Sequence, residues 1–215
     1  QLNTSTTSTY NTAVGRASQR GPNNEAQFHT GERNTSVGAG SMKVITTGND
    51  NTAVGYWSQY GASITGDYNT SLGSNSLKNL DSGDKNISIG HEAGDAITSG
   101  SNNVVIGSGS DPSASSASNQ SVIGYGATGQ SDNSVTLGNA DVTDIYMAQD
   151  KGATVHAAGA DLSGSTGLIL ENDETITNST DGTVLINGTV AGGTGSGAGV
   201  FTSNGDQDVT IQTGN

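Results

Sequence analysis

The chain has 215 residues, with 20 acidic side chains against 7 basic ones and a formal net charge of -13 at pH 7. That balance leaves no basic surface for phosphates and argues against nucleic-acid binding, while the absence of cysteine excludes disulfides and thiolate chemistry. Leu, Ile, Val and Phe fill only 37 of the 215 positions, a fraction usual for disordered chains, so any order has to come from repetition.

In chain order, Gln1–Tyr10 is polar throughout and reads as no secretory signal. A chain opening on Gln reads as a piece of something longer. NTAVG at Asn11–Gly15 then begins a series: NTSVG at Asn34–Gly38, NTAVG at Asn51–Gly55, NTSLG at Asn69–Gly73, NISIG at Asn86–Gly90 and NVVIG at Asn103–Gly107. Weaker copies are QSVIG at Gln120–Gly124 and SVTLG at Ser134–Gly138. The closing glycines Gly15, Gly38, Gly55, Gly73, Gly90, Gly107, Gly124 and Gly138 are separated by 23, 17, 18, 17, 17, 17 and 14 residues. A second glycine stands three residues before the Asn, at Gly31, Gly48, Gly66, Gly83 and Gly100.

A period of 17 residues is too short for a helix pair with turns, which takes about 30 or more, and fits one coil of a β-solenoid with two short strands. Eight rungs stacked about 4.8 Å apart make a rod about 38 Å long. Counting from the closing glycine as zero, position -1 is an unbroken aliphatic column: Val14, Val37, Val54, Leu72, Ile89, Ile106, Ile123 and Leu137. This column is expected to form the core of the coil. The glycines suit corners that need positive φ, and the Asn side chains suit a ladder in which each amide bonds the next rung and its own turn.

No charged residue occurs in any of the eight strand motifs. Strand residues alternate between faces, so position -2, mostly Ala, Ser and Val, points away from position -1. A solvent face normally carries some Lys, Glu or Asp. Both faces are therefore expected to be covered, one by the coil and the small-residue one by another copy of the chain. Such a thin coil needs the help, because a buried Val or Leu contributes about 1.5–3 kcal/mol while ordering one residue costs roughly 1–2 kcal/mol.

These motifs resemble the head repeat of trimeric autotransporter adhesins, which is also found in phage tail fibres and similar virion proteins. The unit N-x-x-[VIL]-G-x-x-S is matched at Asn11–Ser18, Asn34–Ser41, Asn51–Ser58 and Asn69–Ser76, and with small changes at Asn86–Ala93 and Asn103–Ser110. DNSVTLGNADVTDIYMAQDKGATVHAAG at Asp132–Gly159 looks like the close of such arrays in phage fibres. The resemblance implies an all-β, left-handed parallel β-roll, a homotrimer, and adhesion or host recognition without catalysis. It favours a virion appendage, with other virion or fibre proteins and a host-surface glycan or protein as partners. The alternative is a bacterial cell-surface adhesin head.

On this reading residues 1–141 are the roll, 142–160 a cap or neck, and 161–215 a β-rich shaft that continues further. LILENDETITN, TVLINGTVAG and DVTIQTGN in the last segment alternate as strands do. No apolar run approaches the roughly 18 residues of a membrane span.

Nothing in the sequence points to catalysis, a cofactor or a metal: His29, His91 and His156 show no ligand spacing. The N-x-S/T triplets at Asn34, Asn69 and Asn86 arise from the rung motif and are not read as glycosylation sites. Two features are candidate ligand contacts. The first spacing carries six extra residues within QRGPNNEAQFHT (Gln19–Thr30), holding Phe28 and His29. Tyr56, Trp57 and Tyr60 form the densest aromatic group, suited to stacking on sugars or on a neighbouring chain. A polysaccharide-degrading tailspike would need paired carboxylates on a groove. An ice-binding solenoid would need a flat Thr array, yet the column Thr12, Thr35, Thr52, Thr70 turns to Ile87 and Val104.

Overall fold

The computed structural model describes residues 10–20 and 30–148. They form a parallel β-solenoid, all-β, with no helix among the described residues. Eight strands, β1 (Thr12–Val14), β2 (Thr35–Val37), β3 (Thr52–Val54), β4 (Thr70–Leu72), β5 (Ile87–Ile89), β6 (Val104–Ile106), β7 (Gln120–Ile123) and β8 (Ser134–Leu137), line up in one sheet in sequence order. Every neighbouring pair is parallel and in the register that the repeat predicts, from Thr12 opposite Thr35 to Ile123 opposite Leu137. The longer first connection leaves that register intact.

The corners explain the glycines. From Gly15 to Gly124 each closing glycine has φ between 128° and 143°, a region nearly closed to other residues. A Cβ on Gly73 would also stand 2.2 Å from the carbonyl oxygen of Gly90, one rung on. The glycine before the Asn has a different reason: on Gly66 a Cβ would lie 2.1 Å from the Gly83 oxygen, so the rungs touch backbone to backbone there.

The second half of each coil departs from expectation. It contributes only isolated bridges, such as Ile45 to Ile64 and Ser101 to Ser118, in place of a second strand. The cause lies in the backbone: left-handed residues alternate at positions +2 and +4, among them Trp57 and Gln59 (φ 53° and 48°) and Asn75 and Leu77 (59° and 49°). Extended pairing cannot run through them, yet rung-to-rung bonds persist, as from Gln59 N to Ser76 O at 2.8 Å and from Leu77 N to Ala93 O at 3.0 Å.

The core requires a correction. Position -1 faces outward: Val14, Val37, Leu72, Ile89, Ile123 and Leu137 are exposed in the chain, and Val54 and Ile106 are half-buried. The inside of the coil is the small-residue column, with Ser36, Ala53, Ser71, Ser88, Val105 and Val122 fully buried. The reason is room. Opposite that column stands the +3 serine, close enough for Ser58 Oγ to meet Ser71 Oγ at 2.7 Å and for Ser76 Oγ to donate to Ser88 O at 3.1 Å. A branched aliphatic would not fit there in most rungs. Larger apolar residues beyond that column pack with it in two clusters: Met42, Ile45 and Ile64 with Ala53, then Leu77, Leu80 and Ile97 with Ala93 and Val105.

Of the expected cap, only Val142–Ala148 is described, and it contains no strand; Val142 lies against Gly138. The remainder of the 142–160 neck and all of the 161–215 shaft fall outside the described residues.

Candidate functional site

The Asn ladder holds the rungs in place. Asn34, Asn51, Asn69, Asn86 and Asn103 are fully buried, so their amides are not available for glycosylation. Asn69 Nδ2 donates to Gly83 O at 2.8 Å, and Asn69 Oδ1 accepts from Asn86 N at 2.9 Å and Asn86 Nδ2 at 3.1 Å. The nitrogen also donates to Asn51 Oδ1 of the preceding rung at 3.0 Å, so the amide bonds across rungs and not into the residue's own turn as expected. Asn11 at the first rung has two such bonds, from Nδ2 to Gly31 O and from Asn34 N to Oδ1, and is half-buried. At rung seven Gln120 takes the place of Asn and turns its amide to Ser113 and Asp132.

Removing one amide leaves several buried groups without partners, each costing about 1–3 kcal/mol. Asn69→Ala is expected to lower stability by about 3–5 kcal/mol, and Asn11→Ala at the half-buried edge by about 1–2 kcal/mol. Urea denaturation of the two variants reads the difference.

The outward face of the sheet carries a row of exposed apolar side chains. On it Ile87 and Ile89 are 41% and 37% exposed, Leu72 48% and Val14 55%, and no charged side chain interrupts the strands. Thr12, Thr35, Thr52 and Thr70 share this face in the earlier rungs, then give way to Ile87 and Val104.

The aromatic residues do come together. Tyr56 and Trp57 stack with ring centroids 4.8 Å apart and planes 17° apart, and Tyr60 follows at 5.2 Å and 39°. Trp57 lies over Gly40 of the preceding rung, where a Cβ would meet the indole at 2.5 Å. Two lysines flank the rings: Lys43 Nζ is 5.3 Å from the Tyr60 ring centre and 3.2 Å from its hydroxyl, and Lys78 Nζ is 5.5 Å from the Trp57 ring centre. These lysines were missed in the sequence. Lys43, Tyr60 and Lys78 occupy offset +5 in three consecutive rungs, so extending the alignment past the strand would have found them. Phe28 and His29 lie outside the described residues.

Further along the same column, Asp95 stands beside Asp111. Burial pushes the Asp111 carboxyl up to about 6, with the Asp95 carboxylate adding to the shift and the Ala96 N–H, 3.0 Å away, opposing it. Asp95 is raised too, by burial first and then by Glu92, with Lys78 and His91 acting the other way. A raised carboxyl binds its proton more tightly in the folded state, so its contribution is greatest in acid and is lost as pH rises through about 6. Allowing for its partial exposure, the effect is about 1 kcal/mol. Melting is expected about 2–4 °C higher at pH 5 than at pH 7.5, and Asp111→Asn should flatten that difference. Calorimetry across the range checks it.

Among the described residues no group of three or more His, Cys, Asp or Glu is placed to hold a metal ion, and no helix is long and apolar enough to cross a membrane. No protein-family model, curated protein or solved structure matches this chain.

Proposed function

We propose that the chain is a non-catalytic segment of a homotrimeric fibre, a left-handed β-roll that projects from or attaches to a surface. The observation that carries this reading is the outward aliphatic ladder. A row of exposed Val, Leu and Ile about 38 Å long on one straight face of a single chain is the mark of an interaction surface. Copies of the same chain cover it rung against rung, because symmetric association sets like residues opposite one another. The threefold arrangement rests on the sequence resemblance to trimeric heads. A virion appendage is favoured by Asp132–Gly159, with other fibre proteins and a host surface as partners; a bacterial adhesin head is the nearest rival.

A polysaccharide-degrading tailspike is less well supported, since the described Asp95–Asp111 pair is tied into the coil by the Ala96 N–H. Incubation of the protein with a panel of bacterial surface polysaccharides separates the two. The fibre reading expects retention on at least one surface with no release of reducing ends; release of reducing ends would reverse it.

A further inference from the structure

The coil does not call for an aromatic residue at position 57. The Trp57 backbone is left-handed, with φ 53°. The same left-handed offset is held by Gly40, Gly109 and Gly126 and by Ala17, Asn75 and Glu92 in other rungs, so the fold asks for no aromatic there. Nor does the indole belong to the buried cluster of its own region, which is Met42, Ile45, Ala53 and Ile64. A partly exposed aromatic that neither the corner nor the buried cluster calls for points to use at the surface.

The surroundings indicate the ligand. One face of Tyr56 is covered by Trp57, yet Tyr56 remains 50% exposed, so its opposite face is open. An open ring backed by a stacked indole is a platform for the C–H face of a pyranose. The chain is otherwise strongly acidic, with a formal charge of -13, yet two of its seven basic residues stand on either side of these rings. Neither Lys43 nor Lys78 forms an ion pair among the described residues. Two ammonium groups beside a stacking platform select a sugar that carries a carboxylate.

We propose that Tyr56, Trp57 and Tyr60, with Lys43 and Lys78, form a binding site for acidic saccharides, the sugar ring of a uronic or sialic acid lying on the open aromatic surface and its carboxylate meeting an ammonium group that flanks the rings. This deepens the surface-attachment reading and rests on it.

Trp57 is the sole tryptophan of the chain, so its fluorescence reports the site directly. The assembled protein is titrated with tetragalacturonic acid and with 3′-sialyllactose, which separate the two sources of the carboxylate. Maltotetraose and lactose serve as neutral controls, and pentaglutamate as a charged non-sugar. A saturable change is expected with at least one acidic sugar below about 10 mM, weakened roughly three- to tenfold in Tyr56→Ala and by added salt. Lys43→Gln with Lys78→Gln should remove the preference for the acidic over the neutral sugar. The proposal is overturned by no response to either acidic sugar, by an equal response to the neutral ones, or by an equal response to pentaglutamate. It also falls if Tyr56→Ala dissociates the assembly, since the rings would then be a contact between chains. Loss of the sugar response with surface retention intact would reject this site and leave the fibre reading standing.

Discussion

Replacing Ile87 and Ile89 together by Asp is expected to release single chains from the assembly. The two residues are 41% and 37% exposed on the outward face of β5, with Thr70 and Leu72 on one side and Val104 and Ile106 on the other. In an assembly that covers this face, each chain would bury two carboxylates, at several kcal/mol each. Even about 4 kcal/mol per chain corresponds to roughly a thousandfold weaker association. The coil itself should survive, because its interior position between them is Ser88, which is fully buried and donates to Ala93 O at 2.6 Å. Sedimentation should therefore show monomers whose far-ultraviolet dichroism still reports β structure. An unchanged mass would place the contacts between chains elsewhere.

The second large effect is at the corner. Gly73→Ala asks alanine to adopt φ 143° and puts its Cβ 2.2 Å from the Gly90 oxygen and 2.6 Å from the Gly90 carbonyl carbon. Neither problem can be relieved alone: turning the residue moves β4 off its register with β5, and separating the rungs breaks the bond from Gly90 N to Leu72 O at 2.9 Å. A loss above about 3 kcal/mol follows, or a melting temperature lower by more than about 6–12 °C. Gly109→Ala is the control. Its φ is 64° and no atom lies within 4 Å of the added methyl, so only the conformational cost of about 1–2 kcal/mol remains. Thermal denaturation of the two proteins separates steric exclusion from simple glycine preference. Equal losses would mean that the rungs do not meet at Gly73 and Gly90.

Much of this architecture was legible because its determinants are local and repeated. The glycine spacing gave the rungs and their register, and the Asn positions gave the ladder, since a side chain that must bond the next rung has to recur once per coil. Which face lies inside was not legible. Val14 and Ile89 are more apolar than Ala53 and Ser71, and apolar residues are usually buried by their own chain. In this coil the position -2 column lies inside, small beside the Ser58 and Ser76 hydroxyls and Val at Val105 and Val122, while the position -1 aliphatics point outward. The lysines at Tyr60 were missed for another reason, as they lie beyond the repeating motif and acquire meaning only when successive coils are superposed. The left-handed residues at positions +2 and +4 carry no common residue type, Trp57, Asn75 and Glu92 among them, so the missing second strand had no signature to read.

The claim on which everything else stands is that the exposed aliphatic ladder is the seam between copies. Sedimentation equilibrium of the unaltered chain at micromolar concentration tests it most directly. Three chains of 21.4 kDa predict a single species of about 64 kDa, whereas a folded species of 21.4 kDa over the whole concentration range would contradict the account.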